Sequence, residues 1–170
     1  AVAGRVVSHD LLERVAGVPP SALIWSLRDA VEQRVLVHVV DPAPGYAFRH
    51  ALARDAAEAE LLPAERASIH RAIADALEAD HALSPGGELA RTGEIAYHAM
   101  AAHDISRALV ASLAAVAAAD QVSAHAEAEV HLSRVVELWP RIPDAADRIG
   151  TDLAELLSRT ARAAASAGHQ

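Results

Sequence analysis

The sequence predicts a mainly α-helical protein: a tetratricopeptide-like array of helical hairpins, preceded by a partial winged-helix-like domain with one small β-hairpin. Three observations favour this fold class. Hydrophobic residues make up 52% of the 170 residues but aromatic residues only 3%, and much of the difference is alanine, the residue with the highest helix propensity. Apolar residues recur at helical spacing through most of the chain. One short β-branched segment, followed by a turn rich in proline and glycine, interrupts that pattern.

Residues 1–50 are predicted to form the winged-helix-like domain. Ser8 or Asp10 can cap a first helix, which ends before Pro19 because two consecutive prolines forbid its continuation. A second helix follows from Ser21. We expect Trp25, near its start, to belong to the core. The apolar face of this helix comprises Leu23, Ile24, Leu27, Ala30 and Val31.

A β-hairpin is predicted to close this domain. Residues 35–40 are short and rich in β-branched side chains, which favours a strand. Residues 41–45, Asp-Pro-Ala-Pro-Gly, indicate a turn, because proline fixes φ and glycine permits positive φ. Residues 46–50 alternate as a returning strand does. The first helix of a winged helix would precede Ala1, so we expect the chain to be an excised piece of a longer protein.

Residues 51–170 are predicted to form the helical arm. The pattern predicts helices over 51–61 and 63–79, a loop over 81–87, and further helices that break at residues 103–104 and 140–143. The last helix runs from about Ile149 to Ala167 and ends near Gly168. Because its apolar stripe has no following partner, we expect the array to continue beyond Gln170 and the isolated chain to self-associate.

The tetratricopeptide pattern fits best in the segment that ends at Pro140. Its second helix requires alanine, a large apolar residue, a small residue and proline at fixed offsets. Ala128, Leu132, Val135 and Pro140 occupy those offsets. The first helix departs from the pattern. There Ser112, Ala115, Val116 and Ala119 replace the usual tryptophan, leucine, glycine and tyrosine.

Charge and composition exclude several classes of function. The net charge is −8, and every basic residue is arginine. Residues 51–170 hold ten arginines and eighteen acidic residues, so no cationic surface is available to follow a phosphate backbone. The chain has no cysteine, which excludes disulfides and cysteine-based zinc sites and is typical of a cytoplasmic protein. The longest uncharged apolar run, residues 108–119, is too short to span a membrane.

Several blocks of the sequence resemble the large bacterial regulators of the LuxR type that carry a signal-transducing ATPase, related to the maltose-regulator class. The match covers nearly the whole chain, and its specificity comes from the order and spacing of the blocks. Two departures, Ala56-Ala57 and Ala99, remove bulk from the helix interfaces. The resembling blocks are residues 1–5, 8–12, 46–52, 61–66, 69–70, 73–74, 76–77 and 95–98, and the match fades around residues 126–128 and 137–138.

The resemblance implies that an ATPase domain precedes this segment and that a helix-turn-helix DNA-binding domain follows it. The segment would be the arm between them, sensing an inducer or a protein partner. ATP would bind upstream, because a P-loop requires a lysine and this chain has none. We therefore expect no enzyme activity, no catalytic, cofactor-binding or metal-ligating residue and no cofactor in this segment.

The ten histidines are candidates for metal ligands or sensors. His98 and His103 are five residues apart, and His125 and His131 six, whereas two ligands on one helix face need a spacing of three or four. The pairs Glu94–His98 and Glu127–His131 have i,i+4 spacing, which favours ordinary helix-surface pairs. His50 and His70 are interpreted as structural rather than as a sensor pair.

Three functional hypotheses follow. The first is a non-enzymatic sensing and protein-interaction arm of a cytoplasmic LuxR-type regulator, without direct nucleic-acid or membrane contact. In the winged-helix interpretation Arg28 and Arg34 lie on the helix that would read DNA, but Asp29 and Glu32 offset them, so we expect a packing role. The second is a free-standing helical scaffold for protein–protein interaction. The third is a fragment of a ligand-binding enzyme.

Overall fold

The computed structural model describes residues 1–4, 6–40 and 44–166, with the backbone alone of residues 149, 163, 164 and 166. The chain divides into two compact units, residues 1–85 and residues 86–170. The predicted mainly helical fold is confirmed. Within the described ranges, no helix combines the length and the apolarity that crossing a bilayer requires.

The first unit combines short helices with a small sheet. Its strands are β1 (Val6–Val7), β2 (Leu36–Val39) and β3 (Gly45–Phe48). Its helices are α1 (His9–Val15), α2 (Pro20–Glu32), α3 (Ala51–Ala59) and α4 (Pro63–Ala79), followed by one turn of 3₁₀ helix at His81–Leu83. The predicted boundary at residue 50 lies inside this unit, because α3 contacts β3 and α4 packs against α1.

The sheet has three antiparallel strands in the order β1-β3-β2, whereas the sequence predicted one hairpin alone. The hairpin itself is present, with His38 opposite Tyr46. In the added strand Val7 also lies opposite Tyr46. A Cβ at Gly45 would lie 2.6 Å from the carbonyl oxygen of Val7, so glycine permits this approach. Residues 41–43 of the predicted turn lie outside the described residues.

Local hydrogen bonds explain where three helices begin. The N–H of Leu11 donates to the hydroxyl of Ser8 at 3.2 Å, so Ser8 rather than Asp10 caps α1. The N–H of Leu62 donates to the carboxylate of Glu65 at 2.8 Å at the start of α4. Asp104 accepts a hydrogen bond from the N–H of Arg107 at 3.1 Å at the start of α6 (Ile105–Gln121). Each interaction satisfies a backbone N–H that the helix leaves without an internal partner.

The second unit is helical throughout its described part. It contains α5 (Gly87–Ala101), α6, α7 (His125–Leu138), a 3₁₀ turn at Trp139–Arg141, α8 (Ala145–Ile149) and α9 (Leu153–Ser166). Helix α6 packs against α5 and α7, and α9 packs against α7. Helix α8 was not predicted. The left-handed conformation of Gly150 ends it, so α9 begins at Leu153 rather than near Ile149, and the predicted end near Gly168 lies outside the described residues.

The core of the second unit lies between α6, α7 and α9. Large apolar side chains from these helices are fully buried, and they include the predicted Leu109, Val116, Leu132 and Val135 as well as Leu138 and Leu156. Ala108, Ala115 and Ala119 are 0% exposed on α6. Alanines at these positions allow neighbouring helices to pack closely, since a buried side chain of one carbon fills little of the space between two helix axes.

Candidate interaction surface

An exposed row in the middle of α6, on the side away from its buried residues, carries no charge. Val110 is 50% exposed, and Ala114 and Ala117 are also exposed. They recur at intervals of four and three residues, so they form one row, which Gln121 extends. A solvated helix face normally carries charged residues. We call these four residues the α6 face, and its uncharged character is typical of a surface that another molecule covers.

The α6 face was not identified from the sequence, although a signal for it was present. Residues 108–119 are uncharged, and Val110, Ala114 and Ala117 lie on the helix side opposite the buried Ala108, Ser112 and Ala119. A helix with one solvated side normally carries charged residues on that side, and this run has none.

An ion pair borders the α6 face at its C-terminal end. The guanidinium of Arg159 in α9 donates to the carboxylate of Asp120 at 3.1 Å. Their side chains are 31% and 53% exposed, and pairs this exposed contribute at most about 1 kcal/mol. The two residues are 39 positions apart in the chain, so no sequence periodicity could predict their contact.

Helix α2 presents a second exposed patch in the first unit. Trp25 was predicted to lie in the core, and that prediction is wrong: the residue is 65% exposed, and Ile24 beside it is 46% exposed. The guanidinium carbon of Arg28 lies 5.1 Å from the centre of the Trp25 ring, within the range of a cation–π contact. Fewer residues of α2 are buried than its apolar pattern predicts, because Leu23 and Leu27 are its only buried members.

A groove of about 420 Å³ opens in the first unit between α1 and the 3₁₀ turn after α4. Its charged rim carries three carboxylates and one guanidinium, and an ion pair of 3.8 Å joins Arg14 to Asp80. No histidine, serine or threonine is among the described residues that line it, so they supply neither a hydroxyl group nor an imidazole. The lining residues are Asp10, Glu13, Arg14, Asp80, Ala82 and Leu83.

The histidines considered as metal ligands or sensors differ in how deeply they are buried. His98 is buried whereas His103 is exposed, and His125 is exposed whereas His131 is half-buried. Among the described residues, no group of three histidine, aspartate or glutamate side chains is arranged to hold a metal ion. His50 is exposed at the start of α3, whereas His70 is buried inside α4.

Two histidines are shifted towards their neutral form. Burial lowers the pKa of His70 below its ordinary value, with Glu58 opposing and Arg66 adding to the shift. Burial likewise lowers the pKa of His131, which nearby Arg134 lowers further and Glu127 partly restores. The Nδ1 atom of His131 is buried and forms no hydrogen bond with a described residue. Neither histidine lies on the α6 face, so these shifts affect stability rather than recognition.

Comparison of the chain with protein-family models, with curated proteins and with solved structures finds no match.

Proposed function

We propose that this chain is a non-enzymatic signal-sensing and protein-interaction arm of a LuxR-type ATP-dependent transcriptional regulator. It links an upstream ATPase to a downstream DNA-binding domain in the cytoplasm. The α6 face carries the proposal, because an exposed helix row without charge suits the apolar surface of a protein partner or inducer. The resemblance of the hairpin and the helices that follow it to such regulators supports this class.

The arrangement of elements supports the finer architecture in this proposal. In the second unit, α5, α6 and α7 follow one another with short turns and pack in sequence, as tetratricopeptide-like hairpins do. In the first unit, α1 and α2 precede the β2–β3 hairpin, as expected of a winged-helix-like domain that lacks its first helix. Stacked hairpins present one helix of each pair on a shared surface, and in the proposed array α6 would be such a helix.

Charge supports a protein or small-molecule partner rather than a nucleic acid. The chain has a net charge of −8 and no lysine. The guanidinium of Arg28 on α2 stacks on Trp25, and Asp29 and Glu32 share its helix. A surface that follows phosphates needs clustered free cations. We therefore assign DNA binding and ATP binding to other parts of the parent protein.

A free-standing helical scaffold is the second candidate. The α6 face favours it equally, because an uncharged row binds a partner without any need for an ATPase. The two candidates differ outside the chain. The coding sequence that flanks residues 1 and 170 distinguishes them: a P-loop upstream and a helix-turn-helix downstream support the regulator, and their absence would refute it.

The α6 face itself is tested by charge insertion in the intact parent protein. Val110→Glu and Ala117→Glu place carboxylates in the uncharged row, and Ala126→Glu is the matched control on the exposed side of α7. We expect the first two variants to lose inducer-dependent transcription at least about tenfold, as expected when a buried interface acquires an unpaired charge. The control should retain it, and nucleotide binding should survive in all three. Full activity of both α6 variants would refute the role of this face.

A further inference from the structure

Helix α9 has a second apolar face, opposite the side that packs on α7. Leu156 is fully buried in the core, whereas Ala154, Ser158, Ala161 and Ala165 are all exposed. These four residues recur at intervals of four, three and four, so they form one row along the helix. Leu157, 48% exposed, borders the row on one side. The face therefore has an uncharged row of small side chains, three of them alanine, and a larger apolar residue at its border.

Two opposite charges border the other side of this row. Glu155 and Arg162 are exposed and lie seven residues apart, so they occupy the same flank two turns apart. The carboxylate of Glu155 accepts a hydrogen bond from the hydroxyl of Thr151 at 2.6 Å, close to the N-terminus of α9. Arg162 forms no ion pair with any described residue. One charge of each sign is thus available to a partner helix.

We propose that this face of α9 binds the same face of a second copy of the chain, with the two helices antiparallel about a two-fold axis. In this register Ala154 lies opposite Ala165 of the second copy, and Ser158 lies opposite Ala161. Heptad geometry then places Glu155 opposite Arg162 of the second copy. The two-fold axis repeats this contact, so two ion pairs form.

The positions of Glu155 and Arg162 favour a second copy of the chain as the molecule that binds this face of α9. A two-fold axis relates each residue to its equivalent, so an isologous surface must be complementary to itself. One acidic and one basic residue on the same flank of the row satisfy that condition, because the antiparallel arrangement brings each beside the other's equivalent in the second copy. A parallel pairing would leave Glu155 and Arg162 about 10 Å apart along the helix axis. Small residues along the row allow the two helices to approach closely, which strengthens the contacts between them.

The dimer is expected to be weak. A 14-residue helix is about 21 Å long, and one face of it buries less than the roughly 800 Å² per partner of a standard interface. We expect a dissociation constant on the order of 100 µM. Association therefore becomes measurable at high protein concentration, and it depends on the two ion pairs for its register. The inference is independent of the proposed regulatory function.

Charge reversal tests the register. Sedimentation of the chain between about 10 µM and 1 mM should show dimers, and Arg162→Glu or Glu155→Arg should each weaken association about tenfold. The double variant, with both charges exchanged, should recover to within about threefold of the original. Arg49→Glu, in an exposed position of the first unit, is the matched control and should associate as the original does. A chain that stays monomeric at 1 mM, or a double variant that fails to recover, would overturn the proposal.

Cysteine cross-linking tests the direction of the helices, since the chain contains no cysteine. Ala154→Cys and Ala165→Cys are prepared separately and then oxidised alone or as an equal mixture. Antiparallel helices bring residue 154 to residue 165, within the Cα separation that a disulfide requires. The mixture alone should then form the cross-linked dimer. Cross-linking of either variant with itself would indicate a parallel pairing, and no cross-linking in the mixture would exclude this interface.

Discussion

The imidazole of His131 in α7 lies over the backbone of Gly93 in α5. A Cβ added at Gly93 would lie 3.4 Å from Nε2 and 3.6 Å from Cε1 of this ring. These distances are ordinary van der Waals contacts for a methyl group, but they leave no room for a larger side chain. Gly93 therefore sits in a helix at a position that alanine can occupy.

Gly93→Ala is expected to raise the free energy of unfolding by about 0.5–1 kcal/mol. Glycine in a helix interior is destabilising by that amount relative to alanine, because it loses more backbone entropy on folding. Gly93→Leu should lower stability by more than about 1 kcal/mol, since it must displace the ring of His131. Urea unfolding followed by circular dichroism measures both changes.

Gly45→Ala is the matched control, because the same substitution should have the opposite sign there. Its methyl group would lie 2.6 Å from the carbonyl oxygen of Val7. The strands would have to separate locally, which should weaken the pairing of β1 with β3. A destabilised Gly93→Ala variant would show that the ring of His131 does not tolerate the methyl group.

Stability should fall on acidification because of His131 and His70. Their folded-state pKa values lie below the ordinary 6.5, chiefly because of burial. Below about pH 6.5 the unfolded chain takes up protons that the folded chain does not, so protonation favours unfolding. Above that pH the two histidines do not lower the free energy of unfolding. Between about pH 6.5 and each histidine's pKa in the folded state, the free energy of unfolding falls by at most about 1.4 kcal/mol per pH unit for each histidine. Urea midpoints between pH 5 and 8 measure the loss.

His131→Gln should reduce this acid dependence, because it removes one of the two histidines whose pKa burial lowers. His103→Asn is the control: His103 is exposed, with φ of 60°, and asparagine accepts that conformation. It should leave the profile unchanged. If the urea midpoint fell equally steeply with pH in His131→Gln and in the original chain, His131 would not contribute to the acid dependence of stability.

Ser112→Ala should stabilise the second unit by about 1–2 kcal/mol. The hydroxyl of Ser112 is fully buried and forms no hydrogen bond with a described residue. Its removal abolishes a desolvation penalty, and alanine is also the better helix former. Thr92→Val is the near-isosteric control, because Thr92 donates to the carbonyl of Glu88 at 2.8 Å, and it should cost about 1 kcal/mol. Loss of stability in Ser112→Ala would reveal a partner for the hydroxyl.

Trp25→Ala should change the free energy of unfolding by less than about 1 kcal/mol, since Trp25 is 65% exposed. Leu27→Ala, on the buried side of the same helix, should cost about 2–5 kcal/mol. In a Trp139→Phe background Trp25 is the remaining tryptophan. Its fluorescence should then be quenched strongly by acrylamide. Weak quenching would show that Trp25 is buried and would contradict this prediction.

Local signals in the sequence predicted local structure well. The bounds predicted for α4, residues 63–79, are those observed, because Pro63 suits the first turn of a helix and the apolar repeat stops after Leu77. The hairpin was predicted for a similar reason, since its strands are β-branched and its turn contains proline and glycine. Strand β1 was missed because two residues cannot show a period.

Features that depend on tertiary packing were beyond the reach of the sequence. Apolar spacing identified the residues that share a face of α2 but not the width of the arc that is buried, so Trp25 was placed wrongly. The packing of α4 against α1 sets the limit of the first unit at residue 85, and no composition change marks it. The contact of Asp120 with Arg159 depends in the same way on how α6 and α9 meet.

The three fully buried alanines of α6 reverse the usual sensitivity of a protein interior to mutation. Each side chain at Ala108, Ala115 and Ala119 is a single methyl group, so its truncation removes little buried volume. Larger side chains are the more destabilising substitutions at these positions. Adding even two methyl groups, as in alanine to valine, forces neighbouring backbones apart. Random mutagenesis should therefore find that these three positions do not accept larger side chains, and natural variants of the chain should keep all three small.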